Sequence, residues 1–193
     1  MGLIEDRIRE SINTKEVILK SNELLALIKS TSEVVCHSLK CGGKILLCGN
    51  GGSSSDASHI AGELVGRFQR ERKAMAAIAL NGDIATMTAV ANDYGYDKVF
   101  ERGVEGFMNK DDTLIGISTS GNSENVYLAI KKAKEIGGKT VAFLGKDGGK
   151  IKDIADISII IPSNCTARIQ ESHIMIGHII CELAEDGYVN GWK

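Results

Sequence analysis

From Lys44 onward the chain alternates short, continuously apolar runs with longer stretches of helical period. The runs are Lys44–Cys48 (KILLC), Met75–Leu80, Thr113–Ser118 (TLIGIS), Thr140–Leu144 and Ile157–Ile161. Apolar residues at consecutive positions, bounded by Gly and polar turns, are the pattern of strands covered on both faces. Between them, helical spacing carries the chain from the first run to about Phe68, over Asp83–Asn92 and over Glu124–Ile136, where Val126, Ile130 and Ala133 share a side. A last helix is predicted from Thr166 to about Glu185. The first forty residues read as helix too: Ile4, Ile8 and Ile12 repeat at i, i+4, and Leu24, Leu25, Leu27, Ile28, Val34, Val35 and Leu39 continue the stripe until CGGK breaks it. The alternation predicts an α/β domain with three αβα layers, a central five-stranded parallel sheet and an N-terminal helical arm. No repeat, low-complexity tract or linker interrupts it. One domain is expected over 1–193, with 1–40 as the arm and 41–193 as the α/β core.

Composition narrows the partners. Lys+Arg total 23 against Asp+Glu 25, a net charge of −2, which leaves no electrostatic footprint for nucleic acid or an anionic membrane. No apolar run approaches the roughly 20 residues of a membrane span. The opening MGLIEDRIRE is charged, unlike a signal or transit peptide, so a cytoplasmic protein is expected. Five cysteines (Cys36, Cys41, Cys48, Cys165, Cys181) form no CxxC pair, and buried free thiols are the expected reading. Glycine is in excess, 22 of 193 with a single proline, Pro162. About 7% is usual. The excess gathers at Gly49, Gly51 and Gly52, at Gly121, and at Gly145, Gly148 and Gly149, and predicts close approach of backbone to a ligand.

Ligands of open α/β sheets bind at the carboxyl ends of strands, where strand order reverses. Two predicted strand ends carry loops of that kind. Gly49-Asn50-Gly51-Gly52-Ser53-Ser54-Ser55-Asp56 opens a helix but lacks GK[ST], and Ser54 stands where a dinucleotide loop has its last glycine. Ser118-Thr119-Ser120-Gly121-Asn122-Ser123 places four hydroxyls at a helix N-terminus, a neutral cradle for a monophosphate; a cap alone needs one. His59 and Glu63 follow the first loop at i, i+4, about 6 Å apart on one helix face, close enough to share a metal ion or a substrate. The last helix carries Gln170, His173 and His178 among apolar residues. A lone histidine there is more often a hydrogen-bonded core residue than a ligand. Gln170 and His178 lie ~12 Å apart along the axis and ~80° around it, so one ion reaches both only at the limit of both side chains.

The stretches CGNGGSSSDASHIAGELVGRF, AIALNGDIATMTAVANDYGY, LIGISTSGNSENV, GKDGGK and IPSNCTARIQESHIMIGHIICEL together resemble the sugar isomerase (SIS) domain, and within it the phosphoheptose isomerases, over roughly Lys44 to Leu183. The resemblance implies an SIS-type αβα sandwich and an isomerase converting D-sedoheptulose 7-phosphate to D-glycero-D-manno-heptose 7-phosphate. That is the entry to nucleotide-activated heptose for lipopolysaccharide or capsule. It implies that Ser118, Thr119, Ser120 and Ser123 hold the phosphate, and that Asn50, Gly51, Gly52, Ser53, Asn92 and Asp93 line the sugar with Glu63 and Gln170. It implies one zinc per subunit on His59, Glu63, Gln170 and His178, with Glu63 and His178 as the proton-transfer pair, in a homotetramer. Two positions depart from the pattern: Gly62 precedes the key Glu where many members have an acid or Ala, and Ala167 stands where some carry Asp. Neither removes a chemical group. A non-catalytic SIS module that keeps ARIQE would lack the Glu/His pair, which Glu63 and His178 supply. An amino-sugar-phosphate isomerase or etherase is disfavoured by HIAGE and TARIQESHIMIGH together.

Overall fold

The computed structural model describes residues 2–191. Its elements run α1 (Gly2–Lys20), α2 (Asn22–Lys40), β1 (Ile45–Gly49), α3 (Gly52–Val65), β2 (Ala77–Ala79), α4 (Ile84–Tyr94), α5 (Val99–Phe107), β3 (Thr113–Ser118), α6 (Glu124–Ile136), β4 (Lys139–Gly145), β5 (Ile157–Ile161) and α7 (Thr166–Asn190). All strand pairs are parallel, in the order β2-β1-β3-β4-β5. The chain steps from β1 outward to β2, then returns to the other side of β1 for β3. The order therefore reverses between β1 and β3, and the two loops singled out above leave those two strands.

The continuous apolar runs have a direct cause. Ile45, Leu47, Ile115, Ile117, Val141 and Phe143 point to one face and pack with α2, α3 and α7. Leu46, Cys48, Leu114, Ala142 and Leu144 point to the other and pack with α5 and α6. Each strand alternates as strands must, but both destinations are dry.

The local differences from expectation also have causes. The arm is two helices, because Ser21 adopts an extended conformation and its Oγ accepts the Leu24 N–H at 3.2 Å as the N-cap of α2. α5 falls where no element was expected: its buried Val99, Phe100, Gly103 and Val104 form a short stripe diluted by two glycines. β2 pairs over three residues only, and the buried Met75 lies in the segment leading into it. α7 runs on past Glu185. The cysteines are free, but only Cys48 and Cys181 are buried, while Cys41 and Cys165 are exposed. Among the described residues no helix is long and apolar enough to cross a membrane.

Candidate active site

An amide bridge joins the two loops at the strand-order reversal. Asn50, just beyond β1, and Asn125, in the first turn of α6, exchange hydrogen bonds: Asn50 Nδ2 donates to Asn125 Oδ1 and Asn125 Nδ2 to Asn50 Oδ1, both at 2.9 Å. Tyr96 adds its hydroxyl to Asn50 Oδ1 at 2.9 Å. Gly51 turns the first loop into α3 with φ +57 and Gly52 starts the helix; Ser53 is buried just inside it. In the second loop, Ser118 Oγ and Ser123 Oγ lie 2.9 Å apart. Ser123 is the N-cap of α6 yet spends no side-chain bond on capping. Thr119 and Ser120 form the turn between them, with Ser120 Oγ accepting the Asn122 N–H. Asn92 and Asp93, near the end of α4, are exposed and bond to each other at 2.8 Å.

The third group of glycines corrects the expected picture. Gly148 and Gly149 approach the second loop's backbone: a Cβ on Gly121 would stand 2.0 Å from the Gly148 carbonyl oxygen, and one on Gly149 2.5 Å from that of Gly121. Ile151 N–H donates to Gly121 O and Lys150 N–H to Asn122 Oδ1. The GKDGGK turn is thus a buttress behind the loop. Gly145 is needed for the close passage of Ile169, which a Cβ would meet at 2.5 Å.

α3 and α7 run side by side, and their facing residues form a ladder. Gln170 Nε2 donates to Asp56 Oδ1 at 2.6 Å. Gly177 admits Ile60, which a Cβ would meet at 2.5 Å. One residue further, His178 Nε2 comes within 2.9 Å of His59 Nε2, and His59 Nε2 lies 3.2 Å from Glu63 Oε1. Ligand atoms of His59, Glu63 and His178 all fall within 4.8 Å of one another. Two imidazole nitrogens and a carboxylate oxygen suit zinc, whose ~2.1 Å bonds in tetrahedral geometry set ligand atoms roughly 3.4 Å apart. Phe68 stacks on His178, ring centroids 5.6 Å apart at 26°. The chain therefore brings three of the four expected metal ligands together, and Gln170 sits two turns earlier along α7, against Asp56. Burial pushes the Asp56 carboxyl up to about 6, although the Gln170 hydrogen bond and His59 pull it down; its Oδ2 has no hydrogen-bond partner. His173 is a hydrogen-bonded core histidine: fully buried, it donates from Nε2 to Leu144 O, and burial pulls it down to about 4.

Sequence reasoning missed Tyr96, Asn125, Asp56 and Glu185. Tyr96, Asp56 and Asn125 all lie inside the stretches that carry the resemblance, Asn125 two residues after the hydroxyl loop. Glu185 carries no such signal: at the end of an apolar helix it reads as a solvated charge, yet it is 1% exposed.

Comparison with known proteins fits this geometry. The SIS domain profile matches residues 10–145. The phosphoheptose isomerase of Clostridium acetobutylicum is 54% identical over 184 residues, 95% of this chain and 94% of that protein. The structure of the phosphoheptose isomerase from Neisseria gonorrhoeae superposes with a TM-score of 0.90 at 39% identity, covering 96% of this chain and 98% of that one. The Francisella tularensis enzyme gives 0.92 at 37% identity, covering 96% and 97%. A domain profile spanning most of the chain, and relatives this similar over nearly their full length, place the chain in the SIS-domain family, on its phosphoheptose isomerase branch.

Proposed function

We propose that this chain is the isomerase that converts D-sedoheptulose 7-phosphate to D-glycero-D-manno-heptose 7-phosphate, in heptose biosynthesis. The observation that carries the reading is the layout of α3. Its N-terminus opens at the two hydroxyl- and amide-lined loops, and seven residues on, about 10 Å along the axis, it presents the His59–Glu63–His178 cluster. A sugar phosphate has an anion at one end and a carbonyl at the other, and this layout offers a place for each.

The residues divide the work accordingly. Ser118, Thr119, Ser120 and Ser123 take the phosphate with the N-terminus of α6, whose unpaired N–H groups and dipole favour an anion. Asn50, Gly51, Gly52, Ser53, Asn92 and Asp93 line the sugar, and Gln170 and Glu63 face its reacting end. Ketose–aldose isomerisation removes a proton from C1, forms an enediol and returns a proton to C2. Glu63 is the carboxylate that takes and returns the carbon-bound proton, and His178 serves the oxygens, as an imidazole can near neutral pH. His59, Glu63 and His178 would hold one zinc per subunit, with Gln170 as the fourth ligand; its Nε2 is engaged by Asp56, which leaves the carbonyl oxygen to ligate. Bound zinc supplies Lewis-acid stabilisation of the enediolate charge without redox chemistry. A coupled assay on sedoheptulose 7-phosphate, before and after chelation, tests both claims. Turnover that is lost with the metal and restored by zinc is expected. No turnover in the zinc-loaded protein sinks the reading, and an undiminished rate in metal-free protein removes the zinc.

Residues 1–193 form a single SIS domain that works in the cytoplasm as a homotetramer. Two helices support the assembly. On α1, Leu3, Ile4 and Leu19 are each 69–70% exposed, and α4, which bears Asn92 and Asp93, buries none of its residues within the chain. Light scattering on the eluting peak should give four chains; a monomeric mass would refute this.

A further inference from the structure

A buried ion pair stands behind the metal-ligand cluster. Arg72 and Glu185 are each 2% exposed at the side chain, with Arg72 Nε 3.2 Å from Glu185 Oε1. Glu185 accepts three successive backbone N–H groups: Phe68 on Oε1 at 3.2 Å, and Gln69 and Arg70 on Oε2 at 2.8 Å. Consecutive N–H groups converging on one carboxylate form an anion nest, which fixes the backbone that supplies them. Arg72 works on the other side of the same loop. Its Nη2 donates to Glu63 O and its Nη1 to Leu64 O, both at 2.8 Å, and Nη1 also reaches Gly66 O. Glu63 and Leu64 lie in the last turn of α3, whose carbonyls have no helical partner of their own, and Gly66 is its C-cap. Two buried charges are costly to bring out of water, and solvent would serve these carbonyls and N–H groups at an ordinary surface turn.

What the pair holds is the immediate setting of the cluster. Glu63 is the residue whose carbonyl Arg72 grips. Phe68 is the first residue of the nest, and its ring lies on His178. Glu185 stands seven residues after His178 on α7, two turns along the same face. We infer that Arg72 and Glu185 are positioning residues: together they fasten the end of α3 at Glu63 and lay Phe68 against His178, so that both ligands keep one geometry. The inference rests on the reading of His59, Glu63 and His178 as the metal and proton-transfer site. Neither Arg72 nor Glu185 is among the residues read as lining the sugar phosphate; the polar contacts of both side chains are to the chain itself.

The test uses full-length protein and reads zinc affinity alongside steady-state kinetics on sedoheptulose 7-phosphate. Outer-shell partners of metal ligands typically govern 10–100-fold in metal affinity or activity. Glu185→Gln should therefore raise the zinc dissociation constant about tenfold and lower kcat about tenfold. KM, set at the distant phosphate loop, should stay within about twofold. Phe68→Leu leaves the nest's backbone intact, guards against a Glu185 variant that does not fold, and should give the same split. Phe68→Tyr keeps the stacked ring and should restore both values. Wild-type zinc affinity and kcat in folded Glu185→Gln, or in Phe68→Leu, overturns the inference. A silent wild-type enzyme whose zinc affinity still falls in the variants would instead overturn the substrate reading and leave the positioning role standing.

Discussion

Glu63→Gln should reduce turnover of sedoheptulose 7-phosphate by ~10³-fold or more, within the range that loss of a positioned general base produces. Glutamine keeps the shape and helix propensity of the residue and loses only its basicity and charge. The side chain is partly exposed, paired with His59 at 3.2 Å, and has no structural partner whose loss would unfold α3. A circular dichroism spectrum and thermal midpoint near wild type are expected beside the lost activity. The variant also bears on the carboxylate's two roles, because an amide oxygen still ligates metal but cannot take a proton. Zinc retained by elemental analysis with turnover gone identifies the base; zinc and turnover lost together identify the ligand. His178→Ala should be as severe. It removes a ring that stands 2.9 Å from His59 and stacks on Phe68, at a partly exposed site where truncation leaves no deep cavity. Full activity in either variant refutes the assignment.

The centre of the sheet was legible because β1, β3 and β4 are buried on both sides. Leu114 and Ile115 face opposite cores, and both cores are apolar, so the run shows no polar interruption. What escaped was set by contacts far along the chain. Nothing near Ser21 competes with a continuous helix until the Oγ–N–H cap is seen, and α5 is only nine residues long, although its Val99, Phe100 and Val104 do share one face, packed with Leu80 and α6. At the site, the hydroxyl loop and the His59/Glu63 spacing are local and could be read. The reach of Gln170 and His178 could not: eight residues apart on one helix, they meet α3 at separate turns, Gln170 at Asp56 and His178 at His59. The Asn50–Asn125 bridge spans 75 residues, and the carboxylate of Glu185 reaches N–H groups more than 110 residues earlier. Such pairings have no signature in spacing, since each partner alone is an ordinary polar residue.

Gly121→Ala should lower kcat/KM by roughly 100-fold, the scale of a displacement of about 1 Å in a substrate-positioning element, with the loss falling mainly on KM. Two terms act together. Gly121 has φ +67, a conformation that costs an L-residue about 1–2 kcal/mol. The added Cβ would also stand 2.0 Å from Gly148 O and 2.7 Å from Gly149 N. Those are backbone atoms, and Gly148 and Gly149 themselves hold φ +84 and +52, so the buttress has no easy direction of retreat. The second loop must move instead, carrying Ser120 and Ser123 away from where a phosphate would sit while leaving the His59–Glu63–His178 cluster in place. Gly62→Ala is the matched control. It makes the same chemical change directly beside Glu63, but a Cβ there meets nothing within 4 Å, and the position lies inside α3. Alanine should add up to about 1 kcal/mol of stability there and leave KM unchanged. Steady-state kinetics on both variants check the pair. A wild-type KM in Gly121→Ala would show that the buttressed loop does not hold the phosphate.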